Sequence, residues 1–594
     1  MKIFSKLFYF LTPQEKRNAV LLFIITLIMA LIDMFGVASI MPFMAVVSNP
    51  DLIYTNTILN KIFQKSSLLG VQSDQEFIFF LGILVFIFLI FSLSVKALTT
   101  YFQLRFVQMR EYTIGKRLME NYLYQPYSWF LNRNSSDIGK SILSEVGIII
   151  GQGLSPMLNL ITQCIITFFI VSLLLIVDFK LTIIVTIILV IFYGLIFHLS
   201  RKFLNRIGYE RLESNEFRFK AISEAFGASK DVKLSGLEKI FIKKFSDPAK
   251  LFAKHQTSSQ VLGKLPRFAL EAIAFGGMLV VILYVISQTG NFINSIPIIT
   301  LYAFAGYRLM PSLQLIYASS TLLKYATPGI NSLYNDFKSL NTHNYNNDQS
   351  ILKFDKTISL NNVNYSYPNT SRTTLKNINL IIPAKSTVGL VGPTGCGKTT
   401  TVDIILGLLQ PQNGTLKIDD QIITKENSRS WQRSLGYVPQ QIYLSDDTIA
   451  SNIAFGINKE NIIFEDLESA AKIANLHDFV INELPNKYET KVGERGIRLS
   501  GGQRQRIGIA RALFHKPKVL ILDEATSALD NETEKAVMEA VNNLSKNITI
   551  IMIAHRLSTV SKCDKIFHFD KGELIAEGPP EKLIKNITNT KLTY

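Results

Sequence analysis

Cysteine is nearly missing from this chain. Three occur in 594 residues, Cys164, Cys396 and Cys563, scattered and without metal-type spacing, so a disulfide framework is excluded. Internal repeats and low-complexity tracts are also lacking, which excludes a repeat array. Acidic residues are short against basic ones, 46 to 62, giving a net charge of +16 and a pI near 9.4. No A-x-A-like site follows the first apolar run at Ala19, and that run is too long for the core of a secretory leader. The excess is apolar. The hydrophobic fraction is 48 % and the mean hydropathy is +0.23, more than soluble enzymes average, so part of the chain is expected in lipid.

Residues 1–18 mix Lys2, Lys6, Lys16 and Arg17 with Phe4, Leu7, Phe8 and Phe10. This composition predicts an interfacial helix leading into a first span. Six apolar segments follow, near 19–47, 77–104, 146–177, 180–200, 267–287 and 296–325, each long enough given that a span needs about 20 residues. The link after the second carries Arg105, Arg110, Lys116, Arg117, Arg133 and Lys140. The link after the fourth carries Arg201, Lys202, Arg206, Arg211, Arg218 and Lys220. The positive-inside rule then places both termini and these two links in the cytoplasm. Their helical periodicity predicts that spans two to five continue past the bilayer, with bends near Gln125–Asp137 and Gly227–Gly236. In the outer link, Ile58, Leu59, Ile62 and Phe63 share one helical face. Two readings stay open there: a helix on the outer membrane surface, or one packed on the bundle.

Six ionisable residues fall inside the spans: Asp33, Lys96, His198, Arg267, Glu271 and Arg308. Each is costly in lipid and is expected to face protein or a wet cavity. Arg267 and Glu271 are four apart and suit an ion pair on one helix face. Lys96 and Arg308 have no partner near in sequence, and unpaired cations in a cavity suit an anionic cargo such as a pyrophosphate. The alternative is that they snorkel to headgroups. An Asn-rich polar stretch at 331–350 reads as a linker.

Gly392-Pro393-Thr394-Gly395-Cys396-Gly397-Lys398-Thr399-Thr400 fits G-x-x-x-x-G-K-[ST] between a strand-like run and a helical run. Glycine-rich turns let backbone N–H groups curl around phosphate oxygens at a helix N-terminus. Lys398 is expected to reach the β- and γ-phosphates of ATP, and Thr399 to ligate Mg²⁺. Tyr367 is a candidate platform for the adenine ring. Gln440 ends a strand where it can meet Mg²⁺ or the attacking water. Val519-Leu-Ile-Leu-Asp523-Glu524 reads as a buried strand that delivers Asp523 to Mg²⁺ and Glu524 to polarise water.

Leu499-Ser500-Gly501-Gly502-Gln503 resembles the signature motif of the ABC transporter family. Tyr367 resembles the family's A-loop aromatic, Gln440 its Q-loop glutamine, Ser527-Ala-Leu-Asp530 its D-loop, and His555 its switch histidine. The resemblance covers about residues 351–590, and the six-span half matches an exporter membrane domain. It implies a six-span helical membrane domain at 19–330 fused to an α/β P-loop ATPase domain at 351–594. It also implies a homodimer, in which Ser500, Gly501, Gly502, Gln503 and Asp530 of one subunit close on ATP held by the other. Glu524, His555 and Gln440 are the implied hydrolytic residues.

Met41-Pro-Phe, Pro266-Arg-Phe-Ala-Leu-Glu271 and Tyr307-Arg-Leu-Met-Pro311 resemble the PglK-type flippases of lipid-linked oligosaccharides. That resemblance implies a basic substrate cavity containing Lys96, Arg267 and Arg308, in a bacterial inner-membrane protein that moves a polyprenyl-pyrophosphate glycan outward. Export of a lipid A-like lipid, a drug or a peptide is the alternative. No peptidase-like segment precedes the first span, which disfavours a processing exporter. An ATP-gated channel or sensor is the alternative of another class. A nucleic-acid partner is not expected, because the basic residues sit in the span links.

Overall fold

A computed structural model describes residues 2–289, 292–340, 350–368, 370, 372–525, 528–544, 547–554 and 557–584. The chain divides into two compact units. One holds Met1–Gln125 and Arg133–Thr342, the other Pro126–Asn132 and His343–Tyr594.

The first unit is helical. Thr12 and Glu15 form a reciprocal capping box ahead of Pro13, which starts the helix Pro13–Ala38. Ser73 and Glu76 do the same for Asp74–Leu123, and the Asp178 side chain caps Phe179–Gly227. Among the described residues, Pro13–Ser48, Asp74–Leu123, Ser135–Val177 and Phe179–Gly227 are long and apolar enough to cross a membrane. The fifth and sixth expected spans fall on Pro266–Thr289 and Phe292–Ser339.

At 1.5 Å per residue a 50-residue helix runs about 75 Å, against about 30 Å of hydrocarbon, so the expected extension past the bilayer is present in Asp74–Leu123. The expected bends are short helices, Tyr127–Phe130 and Ser229–Leu234. Two expectations need correction. The last span helix continues through Ser339, so the connection does not begin at 331; residues 341–349 of the expected linker lie outside the described residues. At the N-terminus the helix is only Lys2–Tyr9. Leu7 and Phe10 are buried, and Phe10 meets Phe337 edge-on at 5.4 Å. This face packs on the last span helix, while Tyr9 stays exposed. In the outer link, Thr57–Ser66 is helical. Leu59, Ile62 and Phe63 pack inward with Val46, Ile53 and Phe77, while Ile58 stays exposed, which favours the bundle-packed reading.

Buried charge ties the helices together. Glu15 pairs with Arg110. Arg211 donates to Glu145 at 3.1 Å, and Asn215 Nδ2 adds a bond to the same carboxylate at 2.7 Å. Gly208, one turn before Arg211, lets the helix Phe179–Gly227 rest on the Tyr325 carbonyl. A Cβ there would overlap that oxygen and meet Pro328 Cδ at 3.2 Å.

The second unit contains two sheets. Strands β1 (Thr357–Tyr365), β2 (Leu375–Pro383), β4 (Asn413–Ile418) and β5 (Gln421–Ile422) form an antiparallel sheet of order β2-β1-β4-β5. The other sheet has the order β10-β9-β3-β8-β7-β6. Its members are β3 (Thr387–Val391), β6 (Leu435–Val438), β7 (Val519–Asp523), β8 (Thr549–Ile553), β9 (Lys565–Asp570) and β10 (Glu573–Gly578). All its pairings except β9–β10 are parallel. Strands β3, β7 and β8 are buried along their whole length, as apolar runs in a covered parallel sheet should be.

Gly208→Ala should lower the stability of the full chain in nanodiscs by about 1–3 kcal/mol through overpacking, read as a fall in melting temperature. Gly115→Ala, inside the helix Asp74–Leu123 where a Cβ meets nothing within 4 Å, should instead raise that stability by about 0.4–1 kcal/mol.

Candidate nucleotide site and the cations of the membrane unit

Parallel pairing brings the nucleotide motifs to one sheet edge. Leu390 pairs with Ile553, Ile553 with Asp523, and Leu522 with Val438. The chain leaves β3, β7 and β6 at that shared edge toward Gly392, Glu524 and Gln440 respectively, where ligands of open α/β sheets bind. His555 and Ser527 lie outside the described residues.

The phosphate loop runs from β3 into the helix Lys398–Ile405. Gly397 sits at φ 106°, and a Cβ there would come within 2.5 Å of Leu375 Cδ2, so glycine is required at the turn. Lys398 is buried and donates to the carbonyls of Gly392 at 2.8 Å and Pro393 at 3.0 Å. This folds its ammonium over the loop that contains Pro393, Thr394, Gly395 and Cys396. Thr399 is exposed at the helix start, while Thr400 is buried and shares a 3.1 Å hydrogen bond with the Tyr367 hydroxyl. Thr400 therefore steadies the candidate adenine platform. Tyr367 also meets Tyr365 edge-on at 5.2 Å.

Glu524 has φ 50°, an uncommon conformation for a non-glycine residue that costs about 1–2 kcal/mol. This left-handed turn breaks the strand alternation, and Glu524 accepts a hydrogen bond from Gln440 Nε2 at 2.8 Å. Asp523 is buried and accepts from the Tyr437 hydroxyl at 3.4 Å. The oxygens of Thr399, Gln440 and Asp523 are hard donors of the kind Mg²⁺ takes together with phosphate. The glycine turn, lysine and helix start suit ATP, so the residues fit both groups.

Sequence reasoning missed three contributors. Asp403 is an acid inside the apolar run Val402–Leu406 that follows the phosphate loop, and that mismatch was the available signal. Burial, and then the charge of Asp523, push its carboxyl up to about 6. Gln505 is buried and accepts the Ala528 N–H at 3.0 Å, fixing the D-loop to the signature helix Gly501–Phe514. Tyr127, from the bend, belongs to this unit, and burial followed by the charges of Asp403 and Tyr367 raises its hydroxyl. At the start of the signature helix, Ser500 and Gln503 form a capping box, with Gly501 and Gly502 in its first turn. Asp530 caps the helix Asn531–Leu544 through the Thr533 N–H at 2.9 Å.

Two protein-family models match. One, described as the ABC transporter transmembrane region, covers residues 19–312, and the other, described as ABC transporter, covers 375–527. This chain belongs to the ABC transporter family and joins one membrane domain to one ATPase domain. The ATP-dependent lipid A-core flippase of Desulfotalea psychrophila is 42 % identical over 245 residues, 41 % of this chain and 42 % of that protein. ATP-binding cassette sub-family B member 5 of Mus musculus is 44 % identical over 228 residues, 38 % of this chain and 18 % of that protein. The chain thus spans less than half the length of these curated relatives. A solved structure described as a bacterial Atm1-family ABC exporter with ATP bound superposes with a TM-score of 0.76 over 96 % of each chain at 23 % identity, which establishes the fold.

In the membrane unit the three expected cavity cations separate. Arg267 donates to Glu271 at 2.8 Å, the pairing their spacing predicts. Lys96 and Arg308 are not unpaired. Lys96 Nζ lies 3.8 Å and Arg308 Nη1 3.5 Å from the carboxylate of Asp33. None of the three lines the 710 Å³ cavity bordered by Thr182, Tyr193, Tyr302 and Tyr317, whose wall holds no charged residue among the described residues.

Glu524→Gln should retain ATP binding and lose at least about 10²-fold in turnover, measured as steady-state phosphate release beside nucleotide binding. Asp403 binds its proton more tightly folded than unfolded. Its favourable contribution is complete below pH ~4 and is lost as pH rises through ~6. Asp403→Asn should therefore stabilise the ATPase unit at pH 7.5 by on the order of 1–2 kcal/mol, a gain that fades as pH falls from ~6 to ~4. Tryptophan fluorescence reads this unit alone, because both tryptophans, Trp129 and Trp431, belong to it.

Proposed function

We propose that the chain works as a homodimeric ATP-driven exporter in a bacterial inner membrane. Its cargo on this reading is a polyprenyl-pyrophosphate-linked oligosaccharide moved from the inner to the outer leaflet. The observation that carries the cargo reading is the pair of cations, Lys96 and Arg308, gathered between span helices around one carboxylate. Two positive charges against one negative leave an excess of +1 at a place where lipid gives no compensation, and oxyanion headgroups are what such a site prefers. The uncharged cavity suits an apolar chain.

For the engine, the direct Gln440–Glu524 contact supports hydrolysis over mere gating. It links the residue expected at the metal and water to the expected water-polarising carboxylate, a connection that a gate driven by binding alone has no need to keep. ATP held at Lys398 and Thr399 of one subunit would be closed by Ser500, Gly501 and Gly502 of the other, whose helix-start amides are anion donors. Lipid A-like lipids remain the second reading, favoured by the flippase likeness, although that likeness covers only 41 % of this chain.

The test is ATP-dependent movement of a labelled polyprenyl-pyrophosphate oligosaccharide in proteoliposomes, with Glu524→Gln as the blank. Transfer by the unmodified protein alone supports the reading. ATPase activity without transfer removes this cargo and leaves export of another lipid, a drug or a peptide.

A further inference from the structure

Asp33 is one of the most deeply buried carboxylates of the membrane unit, 1 % exposed. It sits on the helix Pro13–Ala38, faces Lys96 and Ser92 on Asp74–Leu123, and meets Arg308 on Phe292–Ser339. On the same two helices as Asp33 and Arg308, Met29, Ala30, Val37, Leu301 and Ala305 belong to one buried apolar cluster. A carboxylate in such surroundings is normally gripped by short charge-assisted bonds. Glu145 is the comparison: both its oxygens accept from Arg211 Nη1, the nearer at 3.1 Å, and one also accepts from Asn215 Nδ2 at 2.7 Å, although Arg211 Nε and Nη2 carry no hydrogen bond among the described residues.

Asp33 is held loosely. Among the described residues its nearest cationic atoms are at 3.5 and 3.8 Å, and its one hydrogen bond, from Ser92 Oγ, is 3.3 Å long. Asp33 Oδ2 and Arg308 Nε are buried and carry no hydrogen bond among the described residues. Donor capacity on the cations and acceptor capacity on the acid are both left over.

We propose that Asp33 is a resident counter-ion, an internal stand-in for an oxyanion, from which a phosphate or pyrophosphate group takes over Lys96 and Arg308. This inference rests on the reading of an anionic cargo and adds how that cargo is admitted and released. A single carboxylate neutralises the two cations only in part, so a more highly charged, multidentate oxyanion outcompetes it. Asp33 recaptures the cations when the helices rearrange, which speeds departure of the cargo. Asp33 therefore acts as a specificity and release residue, weakening binding in order to permit turnover.

The experiment is ATPase stimulation of the full chain in nanodiscs by undecaprenyl pyrophosphate, with undecaprenol and inorganic pyrophosphate as the other arms. Asp33→Asn should lower the half-maximal lipid concentration about tenfold and lower the maximal stimulated rate as well, because the freed cations retain the headgroup. Asp33→Glu should restore values near those of the unmodified protein. Ser92→Ala, which loosens the carboxylate without removing it, should fall between, and it supplies the reading if Asp33→Asn fails to fold. A structural role alone would lower the maximal rate without lowering the half-maximal concentration, and that result overturns the proposal.

An unchanged half-maximal concentration in Asp33→Asn, with the unmodified protein responding, rejects the counter-ion and keeps the cargo reading. Stimulation acquired only in Asp33→Asn keeps the counter-ion and rejects the cargo reading. No stimulation in any variant rejects the counter-ion. A response to inorganic pyrophosphate equal to that to the lipid makes the ligand a free oxyanion; a response to the lipid alone makes it a headgroup.

Discussion

A charge removed from water must find its opposite within the protein, and that constraint organises the membrane unit. Its buried carboxylates Glu15, Asp33 and Glu145 each meet a cation from a different helix: Arg110 for Glu15, Lys96 and Arg308 for Asp33, and Arg211 for Glu145. Apolar packing is weakly directional, and in lipid it gives little preference for one helix neighbour over another. An ionic contact between two helices is directional, and breaking it by removing one partner is costly, on the order of 3–5 kcal/mol. These contacts therefore set which helices are neighbours and at what height. Close backbone approach at Gly208 reinforces the register near Arg211.

The ATPase unit solves a different problem, that of assembling residues far apart in sequence. A parallel sheet has all its strand ends of one kind on one edge, so any residue just after a strand arrives at the same place. Gly392, Gln440 and Glu524 each follow such a strand. The sheet does not aim the side chains, and local devices do that. A left-handed turn at Glu524 reverses the direction that strand alternation would give it. Thr400 holds Tyr367, Gln505 holds the Ala528 amide, and Tyr437 holds Asp523. Burial, and then repulsion by the buried acid Asp523, raise the Asp403 pKa. A divalent cation at Asp523 would relieve that repulsion, so metal binding and the stability of this corner are linked.

Much of this was legible in the sequence because it is written locally. Apolar run length announces span helices, and the glycine-lysine loop and the serine-glycine-glycine start of a helix carry their chemistry in consecutive residues. Arg267 and Glu271 pair as their i,i+4 spacing requires. Partnerships across helices were not legible. Lys96 and Arg308 looked unpaired because Asp33 lies on another helix, and no local pattern relates the three. The N-terminal segment misled for a similar reason. Leu7 and Phe10 have the composition of a lipid-facing stripe, but Phe337 supplies a protein surface for them. Amphipathicity states that a face is covered without stating by what.

The contrast between Glu145 and Asp33 carries the argument furthest. Both are carboxylates at most 4 % exposed, and both face arginine. Burial alone would give them the same role. The difference is in how fully their bonding capacity is used. Both oxygens of Glu145 accept hydrogen bonds, from Arg211 Nη1 at 3.1 and 3.3 Å and from Asn215 Nδ2 at 2.7 Å, so the carboxylate is fully engaged and acts as a fastener, although Arg211 Nε and Nη2 carry no hydrogen bond among the described residues. Asp33 has long contacts and an unused acceptor atom beside two donors, so a better anion gains by replacing it. A transporter needs some interactions that persist through its cycle and others that exchange with the cargo. On the proposed reading the two kinds are separated by the saturation of the carboxylate's hydrogen bonds, and the unsaturated one lies among the span helices, where an anionic lipid would pass.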